Sequence, residues 1–200
     1  MRYADGRTEW EIGWALEDAE AVIACMGFTP AMEGEEMGDT NAAEGGGDRV
    51  RIGLPGKQLD LLKKLHDSGK PVILVLTGGS PIELNWAKAN LPAILMVWYP
   101  GEAGGQALAD VLFGDYSPAG RLPLSFVKSL DDLPPFTDYA MQGRTYRFME
   151  KDVLFPFGHG LSYTTFKYSD LKMQGLTAHV TVRNTGDRDG DEVVQVYIQR

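Results

Sequence analysis

Three times in residues 9–98, a stretch with apolar side chains at helical spacing runs straight into an unbroken apolar segment, and few architectures satisfy that pattern. Ile12, Ala15, Leu16 and Ala19 precede residues 21–26. Leu59, Leu62 and Leu65, closed by Gly69, precede residues 71–76, and the polar-flanked segment 82–89 precedes residues 93–98. Apolar residues three and four apart share one helix face, whereas a short run apolar at every position suits a strand covered on both sides. The alternation predicts a three-layer α/β sandwich with a mostly parallel sheet. Its functional loops should leave the carboxyl ends of the strands, here near Gly27, Thr77 and Tyr99.

The pattern then changes twice. The small residues of 101–105 lead into a predicted helix over 106–112 that ends at Gly114, and Pro118 and Gly120 mark a turn before a predicted strand over 121–126. From 127 to about 160 the periodicity fades around Pro134, Pro135 and Pro156, which reads as a connection between domains. Beyond Phe166, Leu176, Ala178, Val180 and Val182 alternate with Thr177, His179, Thr181 and Arg183, predicting a half-buried strand. Turn residues fill 184–190, and 193–198 is expected to begin another strand. A β-sandwich needs about seven strands, so the expectation is a truncated sandwich whose apolar face is completed by further chain. The expected division is an α/β sandwich over 1–126, a connection over 127–166 and the start of a β-sandwich over 167–200.

Charge narrows the partners. Lys and Arg total 19 against 28 Asp and Glu, a formal net charge of -9. That balance disfavours nucleic acid and anionic membranes as partners and leaves a neutral small molecule as the expected one. No apolar stretch reaches the roughly 18 to 20 residues of a membrane span. Residues 1–6 are too polar for a signal peptide, so any such segment is expected upstream. Cys25, the only cysteine, sits in an apolar run and reads as a buried small hydrophobe. His66, His159 and His179 lack metal-ligand spacing, and no metal is expected. Gly78-Gly79-Ser80 follows a strand as a phosphate loop would, but without the required lysine.

The long glycine-rich stretch 28–56 carries Met32-Glu33-Gly34-Glu35-Glu36-Met37 and Gly46-Gly47-Asp48-Arg49. Further along stand Trp98-Tyr99-Pro100-Gly101-Glu102-Ala103-Gly104-Gly105 and Phe155-Pro156-Phe157-Gly158-His159-Gly160-Leu161-Ser162-Tyr163-Thr164-Thr165-Phe166. Between these lie Ala109-Asp110-Val111-Leu112-Phe113-Gly114-Asp115 and Pro118-Ala119-Gly120-Arg121-Leu122-Pro123. In this order and register, the pieces resemble family 3 glycoside hydrolases over nearly the whole chain.

The resemblance implies a barrel domain with an aspartate nucleophile, an α/β-sandwich domain with the acid/base glutamate on a loop, and a fibronectin type III-like domain. This chain is similar to the later part of the second and the beginning of the third. The partner it implies is therefore a separate N-terminal barrel supplying the nucleophile. By its place in the Gly-Glu motif, Glu35 matches the acid/base residue. Spacing alone leaves Glu33 and Glu36 as rivals.

Asp48 and Arg49 are expected to pin the loop as an ion pair, with contact to sugar hydroxyls as the alternative. Trp98 and Tyr99 pack in the core or stack on a sugar, Trp14 and Trp86 pack, and Arg144, Tyr146 and Arg147 anchor the connection against a neighbouring domain, with catalysis as the alternative. The implied function is a retaining exo-β-glycosidase of the β-glucosidase or β-xylosidase type. It would act without a cofactor on oligosaccharides or aryl β-glycosides, in the periplasm or outside the cell. The fragment alone is expected to be inactive. The alternative is a non-catalytic carbohydrate-binding or interaction fragment lacking the nucleophile domain.

Overall fold

The computed structural model describes residues 1–33, 49 and 51–198. Contacts divide the chain into two units, one made of Met1–Gly101 and Phe126–Leu154, the other of Glu102–Ser125 and Phe155–Arg200.

In the first unit, α1 (Glu9–Leu16) leads to β1 (Val22–Gly27), which is followed by the short α2 (Pro30–Glu33). Then come α3 (Gln58–Asp67), β2 (Val72–Thr77), α4 (Asn85–Asn90) and β3 (Ala93–Trp98). α1 begins where the Thr8 hydroxyl accepts the Glu11 amide at 3.3 Å, a cap that satisfies one of the open amides of the first turn. α3 turns Leu62 and Leu65 inward and stops at Gly69, whose φ of 76° continues no right-handed helix.

The three strands are parallel in the order β1-β2-β3. Val22 pairs with Val72 and Ile73 with Ala93, and a register irregularity between Leu76 and Thr77 brings Thr77 opposite Trp98. β2 is central, and Val72, Leu74, Val75 and Leu76 are each at most 2% exposed, so both its faces are covered. Burying each of its larger side chains contributes about 1.5 to 3 kcal/mol.

β1 differs. Ala24 and Met26 are buried, but Ile23 is 38% exposed and Cys25 is exposed, so the expected burial of that cysteine is not found. β1 is the sheet's edge among the described residues and only one of its faces is packed. An unbroken apolar run does not report that difference. At the other side, Trp98 meets Phe126 edge-on, with ring centroids 6.3 Å apart, and Phe126 is 1% exposed.

The second unit contains α5 (Gly104–Phe113), which ends at left-handed Gly114 as expected, and the antiparallel hairpin β4 (Phe166–Gln174) and β5 (Thr177–Asn184). The expected strand over 121–126 is not regular. Pro123 has no amide to give a ladder, and Leu122 instead pairs with a turn, its amide donating to His159 O and its carbonyl accepting from Gly158, both at 2.8 Å. Arg121 meets Glu192 at 2.6 Å with both side chains largely buried, and the Tyr168 hydroxyl donates to the same carboxylate at 2.6 Å.

The alternating strand is present but not half-buried, because every residue of β5 is exposed. Two strands offer no opposing layer. Nor do residues 193–198 form the expected strand. The α/β class stands, with a mostly parallel sheet followed by a small antiparallel one. A closed sandwich is absent among the described residues.

Candidate functional site

The carboxyl ends of all three parallel strands converge on one carboxylate. Phe28, 4% exposed, follows β1, and α2 then carries Glu33 back over the strand ends. Glu33 accepts hydrogen bonds from the Tyr99 hydroxyl at 2.5 Å, from the Ser80 hydroxyl at 3.2 Å, and from the Gly79 amide, which reaches both its oxygens at 3.2 Å. Arg49 donates through Nη2 to Ser80 Oγ and, at 3.3 Å, to Pro81 O. Its guanidinium lies 4.2 Å from the centre of the Phe28 ring, a cation–π contact.

The backbone is shaped for this arrangement. A Cβ on Gly79 would stand 2.8 Å from Glu33 Oε2 and 3.2 Å from the Tyr99 ring, so only glycine lets the carboxylate approach that amide. Trp98 adopts φ 54°, a left-handed conformation that costs a non-glycine residue of order 1 to 3 kcal/mol. The strained residue directly precedes Tyr99, whose phenol crosses to Glu33. Beneath it, the Thr77 hydroxyl holds Phe28 O at 2.8 Å, and Gln58 binds both the amide and the carbonyl of Gly27 at 2.7 and 3.0 Å.

The Tyr99 phenol is pushed up to about 12, first by partial burial, then by its hydrogen bond to the Glu33 carboxylate and that group's negative charge, with Arg49 opposing. Tyr99 therefore stays protonated, and a donor, across the whole neutral range. Beside this network an open groove of about 490 Å3 is lined by Phe28, Arg49, Arg51, Glu83, Asn85 and Trp86, among others. One Arg49 nitrogen, Nη1, is buried without a hydrogen-bond partner among the described residues.

Glu35, Glu36 and Asp48 lie outside the described residues, and so does the expected pairing of Asp48 with Arg49. Glu33, weighed as a rival proton donor, has its oxygens occupied by three donor groups. Tyr99 neither packs in the core nor presents a free face. It is 39% exposed and spends its hydroxyl on Glu33, whereas Trp98 packs against Phe126.

Trp86 meets His66 edge-on at 5.4 Å, and Trp14 is 43% exposed beneath the Arg2 guanidinium. Arg144 anchors the connection internally, donating to Pro135 O at 2.9 Å, Asp138 O at 2.6 Å and Ala140 O at 3.2 Å. Arg147 Nε donates to Tyr146 Oη at 3.2 Å.

Sequence reasoning missed Gly79 and Ser80. The available signal was Gly78-Gly79-Ser80 after a strand, which does cradle an oxyanion, though the anion is the chain's own carboxylate and not a phosphate. No cluster of metal-ligating side chains occurs among the described residues, and no described helix is long and apolar enough to cross a membrane.

Comparison with known proteins gives a consistent set of matches. Residues 9–163 match the family model described as the glycosyl hydrolase family 3 C-terminal domain. A xylan 1,4-β-xylosidase of Xylanibacter ruminicola is 46% identical over 92% of this chain and 22% of its own length. A periplasmic β-glucosidase of Salmonella typhimurium is 38% identical, over 92% of this chain and 26% of its own. Among solved structures, a family 3 β-glucosidase of Bifidobacterium adolescentis superposes with a TM-score of 0.72 at 32% identity, covering 92% of this chain and 29% of that one. The chain thus spans about a quarter of the length of the curated relatives it matches.

Proposed function

Because the chain belongs to the glycosyl hydrolase family 3 C-terminal domain family, we propose that it is the acid/base-bearing portion of a retaining exo-β-glycosidase. That enzyme removes terminal β-linked glucose or xylose from oligosaccharides, and Glu35 is its proton donor. In the retaining reaction two carboxyl groups about 5 to 5.5 Å apart flank the glycosidic bond. One attacks the anomeric carbon while the other protonates the departing oxygen. The second then takes a proton from the water that attacks the covalent intermediate. Glu35 has the proton-donating and proton-accepting role, and an aspartate on an N-terminal barrel domain is the nucleophile.

The observation that supports the reading lies in the described residues on either side of 34–48. Glu33 and Arg49 both sit at the carboxyl end of the parallel sheet, the edge where open α/β sheets place their ligands. Glu33 is the weaker acid/base candidate, since delivering a proton would require it to leave Tyr99, Ser80 and Gly79 together.

The division of the chain follows the same scheme. Residues 1–126 are sandwich-domain sequence, 127–166 connect, and 167–200 open a fibronectin type III-like domain. A location in the periplasm or outside the cell is supported by the relative named for the periplasm.

In the complete enzyme, Glu35→Gln is expected to slow hydrolysis most on glycosides with poor leaving groups, by about 100-fold or more. Added azide should restore part of the rate on activated substrates. If Glu36→Gln behaves this way and Glu35→Gln does not, the assignment moves one residue. A second reading is a non-catalytic carbohydrate-binding fragment. Titration of the chain alone with gluco- and xylo-oligosaccharides tests it, and appreciable affinity without turnover would support it.

A further inference from the structure

We propose that the groove beside the Glu33 network binds one neutral pyranose unit of an oligosaccharide, with Glu83, Asn85 and Ser129 as its hydrogen-bonding residues. The groove holds about 490 Å3, and its walls come from three stretches of the first unit, within 51–59, 83–87 and 129–131. That volume falls within the roughly 300 to 1,000 Å3 usual for small-molecule sites. Phe28 on its rim follows β1 and residues 83–87 follow β2, at the sheet edge where open α/β folds place their ligands.

The walls are fixed to one another before any ligand arrives. The Glu83 amide donates to Ile52 O at 2.7 Å, joining the first stretch to the second. Asn85 Nδ2 donates to Glu83 Oε1 at 3.0 Å and to Lys128 O at 2.6 Å, joining the second to the third. Ser129 Oγ accepts the Asp131 amide at 2.9 Å.

Each of these side chains is oriented by one bond and has capacity left for another. Asn85 spends its amide nitrogen and keeps its carbonyl oxygen, Glu83 keeps Oε2, and Ser129 keeps its hydroxyl proton, none of them with a partner among the described residues. Fixed acceptors beside a fixed donor match sugar hydroxyls, each of which both gives and accepts. Groups already ordered also cost less to immobilise on binding. The floor is apolar, with Leu84 and Ala87 buried and Trp86 half-buried, which suits the C–H face of a pyranose. Charge decides against an ion as the occupant, because Arg49 and Arg51 on the lining are balanced by Glu83 and Asp131. The choice of an oligosaccharide rests on the glycosidase reading, whereas the groove and its spare hydrogen-bonding groups do not.

Calorimetric titration of the complete enzyme with S-linked xylotriose and cellotriose, whose sulfur linkages resist cleavage, tests the site. Asn85→Ala removes an acceptor and should raise Kd about tenfold. Gly53 lines the groove with no left-handed φ, and a Cβ there meets no atom within 4 Å. Gly53→Phe therefore crowds the wall without taking away a contact, and should raise Kd by about tenfold or more. It decides the matter if Asn85→Ala melts early. Unchanged affinity in Gly53→Phe overturns the site, as does a parent enzyme that binds neither trisaccharide. Tighter binding of inorganic phosphate than of either sugar, weakened in Gly53→Phe, overturns the neutral occupant. The same proteins are assayed on p-nitrophenyl β-glucoside and β-xyloside. A parent that hydrolyses neither, while the variants still lose sugar affinity, sinks the glycosidase reading and leaves the groove standing.

Discussion

β2 and β5 both carry branched apolar side chains, yet one is the most buried strand described and the other is exposed at every position. β2 is apolar from Val72 through Leu76 and lies between two parallel neighbours, with side chains covering both its faces. β5 alternates, has one antiparallel partner and faces no second layer among the described residues. A strand's hydrophobic pattern states how many of its faces call for a cover, and tertiary structure decides whether a cover is there.

The contrast can be broken first at its strongest point. Leu74→Ala, at a position with no exposure, is expected to cost about 2 to 5 kcal/mol in urea or thermal unfolding. A loss under about 1 kcal/mol would mean that the β2 core is loose.

At the rim of that core the expected effect is smaller. Tyr99→Phe removes one hydrogen bond to a carboxylate and should cost about 1 kcal/mol at neutral pH. The folded phenol titrates at about 12, above its ordinary value of about 10. The protonated form is therefore favoured by folding, its contribution is complete below about pH 10, and it is lost as pH rises through about 12. A difference titration at 295 nm between the parent and Tyr99→Phe should show a single transition near pH 12. A midpoint near 10 would mean that neither burial nor Glu33 acts on the phenol as described.

The smallest effect belongs to the hairpin. Val180→Thr, at a residue 39% exposed, should shift the stability of the chain by no more than about 0.5 kcal/mol. A loss comparable with that of Leu74→Ala would show that β5 is covered in solution.

The sites of agreement and disagreement follow the same logic. Gly69 and Gly114 end helices where expected, because a left-handed glycine terminates a helix by local sterics alone. Cys25 and Ile23 were misread because a run of apolar residues reads alike at the centre of a sheet and at its edge. The strand expected over 121–126 failed at Pro123, where a missing amide outweighed the apolar composition. Trp98 is half-buried and packs against Phe126, and nothing in its type announces a positive φ. That turn is what frees the neighbouring phenol for Glu33.

By itself the sequence determined the helix and strand alternation, the parallel sheet, the helix ends and the motif that places this chain in its family. These depend on periodicity and on neighbours within a few residues. Only the tertiary structure decided that Glu33 is an acceptor for partners 46 and 66 positions away, and that Ser80 stands between it and Arg49. Those contacts exist because strand order and register bring three separate loops to one edge of the sheet, a consequence of packing that no local pattern encodes.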